Sequence, residues 1–258
     1  MNRRGLYITI YRFVTLHIPL ILLLGIPIVA IVSWVWSMYS DGTVNNLLDP
    51  DGIRWCVRSS VRNISRAPLA QTLVLFMCVS VLFESGLMGV LLTLARERKW
   101  STGSLSLKQR RALMCTIGVF ELIVVLLIVL IVFPGAILFT AFGTYESSSL
   151  QQGMWGIAAF ITIASCNAFG YVSGKIITQL DFLRAHTFFI SKCANYFITL
   201  GLAAEFVSCL EYTSLVSADT IAVLSECLYY IPIVFYFISA IYSRNDNFIE
   251  DISKKMNN

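Results

Sequence analysis

The sequence predicts an all-α polytopic membrane protein: a bundle of about six transmembrane helices with one amphipathic helix at the membrane interface. Of the 258 residues, 57% are hydrophobic and 13% charged, and the mean hydropathy is +0.75. That charged fraction is about half the value of ordinary soluble domains. Six stretches also reach the roughly 20 apolar residues that cross a bilayer. They are approximately 13–36, 69–95, 112–142, 154–177, 188–210 and 220–242.

The polar connections between these stretches are short, and the longest covers residues 37–67. They leave no room for a separate soluble domain. We therefore expect residues 1–258 to form a single membrane domain.

The basic residues predict the orientation, because Lys and Arg are enriched in cytoplasmic loops. With the N-terminus in the cytoplasm, 15 of the 19 basic residues fall on the cytoplasmic side. They are Arg3, Arg4, Arg12, Arg96, Arg98, Lys99, Lys108, Arg110, Arg111, Lys175, Arg184, Lys192, Arg244, Lys254 and Lys255. We therefore expect both termini to be cytoplasmic. The net charge of +4 comes from residues beside the spans and does not indicate nucleic-acid binding.

The segment after the first span, DPDGIRWCVRSSVRNISRAP, predicts the interfacial helix over about residues 50–66. Asp49 is a typical N-cap, and Pro50 suits the first helical position. Four apolar residues recur on one face, beside a basic stripe that repeats every fourth residue. The apolar set is Ile53, Val57, Val61 and Ile64, and the stripe is Arg54, Arg58, Arg62 and Arg66. The stripe either binds lipid headgroups and anchors the helix, or steers anionic substrates electrostatically.

Four carboxylates lie within the predicted spans, with no Lys or Arg at comparable depth. Glu84 and Glu121 fall in the cytoplasmic halves of their spans, and Glu205 and Glu226 in the outer halves. A charge at mid-bilayer costs at least about 2.5 kcal/mol, so these side chains should face the bundle or a wet cavity. They either relay protons or cations, form hydrogen bonds between helices as neutral acids, or lie close enough to a span end to meet water.

The fourth span, GMWGIAAFITIASCNAFGYVSGKI, is rich in small residues. Gly170 and Gly174 form a GxxxG motif, which predicts a close helix–helix contact, within the bundle or across a dimer. Asn167 either forms an interhelical hydrogen bond or lines a transport path.

The remaining residues give no enzyme or metal signature. Six of the seven cysteines lie within spans and are expected to be small buried hydrophobes. His17 and His186 are far apart in sequence, and no CxxC, HExxH or phosphate-binding loop is present. We expect no metal, no cofactor and no enzymatic activity. Pro134–Gly135 is the only sequence break comparable to the unwound helices of transporters.

Several segments resemble the AbgT family of p-aminobenzoyl-glutamate transporters. NNLLDPDGIRW resembles the family segment before the second span, where Leu-Leu, an acidic turn and Gly-Ile-Arg-Trp precede an Asn and Pro-Leu-Gly. The matching residues are Leu47, Leu48, Asp51, Gly52, Ile53, Arg54, Trp55, Asn63, Pro68 and Leu69, with Ala70 replacing the last glycine. The next family span is glycine-rich and ends in Glu-x-Ser-Gly or Glu-Ser-Gly. Glu84, Ser85 and Gly86 match this end, but the segment from Cys78 to Phe83 lacks the family's glycines. Farther on, Gly170, Tyr171 and Gly174 match imperfectly, and Glu205 replaces a family Gln.

The resemblance implies a homodimeric transporter in the bacterial cytoplasmic (inner) membrane, in contact with the lipid bilayer. It would move p-aminobenzoyl-glutamate or a related aromatic anion or antimetabolite, coupled to a cation. The chain is roughly half the family's length and lacks segments resembling its two re-entrant hairpins, so no family binding residue is carried over. The candidates for a substrate or ion path are Glu84, Ser85, Glu121, Asn167, Glu205 and Glu226. The alternative is a membrane scaffold or partner subunit derived from the same fold that no longer transports.

Overall fold

The computed structural model describes residues 3–40, 43–96, 105–132 and 148–256, with side chains over residues 17–95, 105–132 and 148–237 of these ranges. All regular structure in this part of the chain is helical. In chain order the helices are α1 (Arg3–Ser37), α2 (Pro50–Arg66), α3 (Leu69–Glu84), α4 (Leu87–Arg96), α5 (Leu107–Val132), α6 (Ser149–Ser173), α7 (Gln179–Lys192), α8 (Ala194–Thr213) and α9 (Ala218–Met256).

The coarse fold class agrees with the sequence prediction. Five described helical stretches are long and apolar enough to cross a membrane, and six if the bent pair α7 and α8 forms one span. By this criterion α2 and α3 count together as the stretch Pro50–Glu84. The interfacial position of α2 and the cytoplasmic location of both termini stay predictions.

Two predicted spans are not continuous helices. The stretch 69–95 is divided into α3 and α4, because Gly86 adopts a left-handed φ of 84° that an α-helix does not accommodate. The stretch 188–210 is divided at Cys193, between the end of α7 and the start of α8. The prediction that Pro134–Gly135 is the only break is therefore wrong. Those two residues themselves lie outside the described part of the chain.

The chain divides into two compact units, Met1–Leu69 with Lys192–Asn258, and Ala70–Ser191. In the first unit, α8 packs against α1, α2 and α9. In the second unit, α6 packs against α4 and α5, around an apolar cluster that includes Val81, Phe169 and Leu94. The prediction of a single membrane domain stays a prediction.

Close packing in the first unit is concentrated on α8. A Cβ atom at Gly25 of α1 would lie 2.7 Å from the ring of Phe206, so the glycine allows the two helices to approach. On the side facing α9, the Tyr196 hydroxyl donates to the Tyr229 carbonyl at 3.0 Å. Helix α8 is thereby held between its neighbours, and this fixes the position of Glu205.

Candidate functional site

Helix α2 begins and ends as the sequence predicts, but the face that it packs against the protein was not foreseen. Pro50 is the first helical residue and Asp49 the N-cap, although the Asp49 side chain makes no capping hydrogen bond. Val57 and Val61 point outward, with 80% and 82% of their surface exposed. The buried residues of α2 are small or polar: Gly52, Ser59 and Asn63. The apolar face is thus available to lipid, and the opposite face contacts α8.

Glu205 of α8 receives two hydrogen bonds from this polar face of α2. The Ser60 hydroxyl donates to Glu205 Oε1 at 2.6 Å, and Asn63 Nδ2 donates to Oε2 at 3.1 Å. Asn63 is 1% exposed, and its Oδ1 atom has no hydrogen-bond partner among the described residues. Glu205 is half-buried. We call these three residues the Glu205 site.

The arginines of α2 are engaged elsewhere. Arg54 pairs with Asp51 at 3.3 Å, and Arg66 pairs with Glu211 at 3.1 Å, both at exposed positions where ion pairs are weak. Arg62 donates to the Ser59 hydroxyl at 3.0 Å, and Arg58 is exposed. Within the described residues, neither ion pair includes Glu205. Headgroup binding and substrate steering both stay predictions for this stripe.

Contacts near the N-terminal end of α2 hold this helix against α8. The Trp55 ring stacks on Tyr212 with centroids 4.4 Å apart. Asn45 Nδ2 donates to the Tyr212 carbonyl at 2.8 Å. Gly52 is needed here, because a Cβ atom would collide with the carbonyl oxygens of Asn46 and Leu47. These contacts position Asn63 relative to Glu205.

Glu84 and Ser85 lie at the break between α3 and α4. Glu84 is the last residue of α3 and is half-buried. Ser85 is fully buried, and its hydroxyl accepts from the Leu87 N–H at 3.4 Å, so it caps the start of α4. One turn earlier, the buried Ser80 hydroxyl donates to the Ala185 carbonyl at 2.6 Å and accepts from the Phe189 N–H at 3.2 Å. Ser80 is therefore a packing residue between α3 and α7.

The two glycines of the GxxxG motif have different roles. A Cβ atom at Gly170 would lie 2.5 Å from Ile176 and 3.4 Å from Ser85, so Gly170 is a close-contact position. Gly174 instead ends α6 in a left-handed conformation, with φ of 75°, and no described atom lies within 4 Å of its Cβ position. The predicted helix contact of Gly174 within the bundle is therefore wrong, because the helix has already ended there. A contact across a dimer stays a prediction.

The other predicted residues do not join the Glu205 site. Glu121 and Glu226 are exposed on α5 and α9. Asn167 Nδ2 lies 3.4 Å from His186 Nε2. Asn167 Oδ1 has no hydrogen-bond partner in the described part of the chain. His186 Nδ1 lies 2.7 Å from the Phe182 carbonyl oxygen and donates to it, because a carbonyl only accepts.

The described residues contain no group of three or more His, Cys, Asp or Glu side chains that could hold a metal ion. Among the predicted candidates, Glu205 receives two side-chain hydrogen bonds from a neighbouring helix. Ser60 and Asn63 were not predicted as functional residues. The signal that could have identified them is the recurrence of small and polar residues at Gly52, Ser59 and Asn63 on the helix face away from Val57 and Val61.

Comparisons with known proteins give no match: no family model fits the sequence, and neither curated proteins nor solved structures show significant similarity. The resemblance to the AbgT family thus depends only on the sequence segments described above.

Proposed function

We propose that the protein is an AbgT-like transporter of the bacterial cytoplasmic membrane, which moves p-aminobenzoyl-glutamate or a related aromatic anion coupled to a cation. The observation that supports this most is the helix break at Ser85–Gly86, which directly follows Glu84 within an apolar stretch. Transporters of several folds bind substrates and ions at discontinuous helices, because backbone groups at the two broken ends are free to bind them.

The two helix ends at this break suit opposite charges. Helix α3 ends at Glu84, so the negative end of the helix and a carboxylate coincide, and both attract a cation. Helix α4 starts at Leu87, and its N-terminus is favourable for the carboxylates of an anionic substrate. The Lys175 side chain lies against Gly86. An anionic substrate would therefore bind at the α4 side of the break, and a coupling ion beside Glu84.

Uptake into proteoliposomes tests this proposal. Wild-type protein should take up p-aminobenzoyl-glutamate when a cation gradient is applied. Glu84→Gln keeps the size and hydrogen bonding of the side chain but removes its charge, so it should lower uptake by about tenfold or more while thermal stability stays unchanged. Asp219→Asn, which removes an exposed charge at the start of α9, is the matched control and should leave uptake unaltered. Uptake no greater than in empty vesicles would contradict the proposal.

A second candidate function, a scaffold or partner subunit that assembles with itself, is favoured by a different observation. Glu121 and Glu226 are exposed within the apolar segments of α5 and α9. A carboxylate facing lipid costs roughly 2.5–3.5 kcal/mol, and a neighbouring copy would remove that cost by hydrogen bonding.

Native mass spectrometry tests the scaffold function by comparing wild-type protein with Glu121→Leu. A scaffold should form dimers that the substitution weakens, and should show no uptake in the transport assay. Monomeric wild-type protein would contradict self-assembly.

A further inference from the structure

We propose that the Glu205 site binds a monovalent cation of the sodium class, held by the Glu205 carboxylate, the side-chain oxygen of Asn63 and the Ser60 hydroxyl. The inference rests on the proposed function, to which it adds a second cation site. This site lies at the contact between α2 and α8.

The first argument is the unpartnered oxygen of Asn63. The side chain is 1% exposed, and Oδ1 has no hydrogen-bond partner among the described residues. Buried polar atoms in folded proteins are almost always paired, so an unpaired one calls for a ligand or a functional reason. The amide that carries this atom is the same one that contacts Glu205.

The second argument is the arrangement of the oxygens. Asn63 Nδ2 lies 3.1 Å from Glu205 Oε2. The nitrogen and oxygen of an amide have nearly the same size, so a half-turn about the Cβ–Cγ bond would bring Oδ1 to face Glu205 Oε2. The same rotation would move Nδ2 to the position that Oδ1 now occupies. Two oxygens facing each other at that separation repel unless a cation lies between them. The Ser60 hydroxyl, 2.6 Å from Oε1, keeps free lone pairs for the same ion.

The third argument is charge, and it selects a monovalent ion. The site contains one carboxylate and two neutral groups, so a single positive charge neutralises it. Calcium sites commonly supply several carboxylates to a divalent ion. The nearby charged groups do not occupy the site, because Arg62 contacts Ser59, and Arg66 is paired with Glu211. Carboxylate, amide and hydroxyl oxygens are the ligands that hard cations prefer.

The consequence of binding is a tighter contact between α2 and α8. The ion would be held by one ligand from α8 and two from α2, so its arrival favours the state in which these helices are joined. Because the ion binds the folded state, it should also raise thermal stability, by an amount that grows with the logarithm of its concentration above the Kd.

The experiment measures thermal unfolding and saturable binding of radioactive sodium on purified protein in lipid nanodiscs. Sodium chloride is exchanged for potassium or choline chloride at constant ionic strength. Wild-type protein should bind sodium saturably, and its midpoint should rise with sodium concentration. Glu205→Gln should lose both effects. Asp219→Asn, which removes an exposed carboxylate at the start of α9, should keep both.

Equal midpoints in all three salts with no saturable binding would overturn the proposal, as would sodium dependence that survives in Glu205→Gln. A midpoint that responds to pH but not to sodium would also overturn it, in favour of protonation. If Glu205→Gln does not fold, Asn63→Ser decides: loss of binding supports the site, and unchanged binding contradicts it. Sodium binding without uptake contradicts only the transport function, whereas uptake without sodium binding contradicts only this site.

Discussion

At the scale of single residues, Ser80 shows how one hydroxyl connects two helices. Its oxygen lies between the Ala185 carbonyl and the Phe189 N–H of α7, two groups that are four residues apart and would bond to each other in a regular α-helix. A side chain inserted into this backbone ladder is a recognised cause of helix bending. The local shape of α7 therefore depends on a residue of α3.

We expect Ser80→Ala to destabilise the protein by about 1–3 kcal/mol, because it removes a buried partner from two backbone groups. Thermal unfolding in detergent measures the effect. Ser225→Ala is a suitable control, since among the described residues the Ser225 hydroxyl donates to the Ala222 carbonyl of its own helix. Equal stabilities for the two variants would show that the Ser80 contacts carry no energy.

At the scale of helices, the bounds of α2 were predictable, but the break at Ser85–Gly86 was not. Asp49, Pro50 and the four-residue repeat locate α2 because capping and periodicity are local properties of the sequence. Glycine is common in membrane helices, so hydropathy alone does not reveal that Gly86 adopts a positive φ. The packing of Asn63 on Glu205 was missed for a related reason, since the identity of the opposite helix is a tertiary property.

The break itself predicts opposite effects for two glycines three residues apart. Gly86→Ala should destabilise the protein by roughly 1–2 kcal/mol, because the residue is left-handed and its Cβ would collide with the Lys175 side chain. Gly89→Ala should instead be neutral or stabilising by roughly 0.5–1 kcal/mol, since Gly89 is helical and no described atom lies near its Cβ position. Differential scanning fluorimetry separates the two outcomes. A stabilising Gly86→Ala would mean that α3 and α4 form one continuous helix.

At the scale of the whole molecule, orientation in the membrane depends on the distribution of basic residues. Hydropathy locates the spans, and the coarse agreement with five or six apolar helices reflects that strong signal. Hydropathy does not predict which of the intramembrane carboxylates are exposed and which are hydrogen-bonded to another helix. Glu121 and Glu226 are exposed, whereas Glu205 is held by α2, and nothing in their local sequences distinguishes the three.

We expect accessibility labelling to give cytoplasmic N- and C-termini. In a variant without native cysteines, Ser149→Cys should react with an impermeant thiol reagent from the outside, and Gln179→Cys only from the inside. Both positions are exposed, whereas the neighbouring Ser148 is 1% exposed and would label poorly on either side. Reaction of Ser149→Cys from the cytoplasmic side would reverse the predicted orientation.

Gly25 and Phe206 lie so close together that the side-chain volume tolerated at one position depends on the side chain at the other. A methyl group at residue 25 has no space while the Phe206 ring lies 2.7 Å away, but a smaller side chain at residue 206 would provide it. Gly25→Ala and Phe206→Leu should therefore each be destabilising, and the double substitution less so than the sum of the two. A double-mutant cycle with a coupling of about 0.5–3 kcal/mol would show this compensation. Across related sequences, residues 25 and 206 are then expected to change size together.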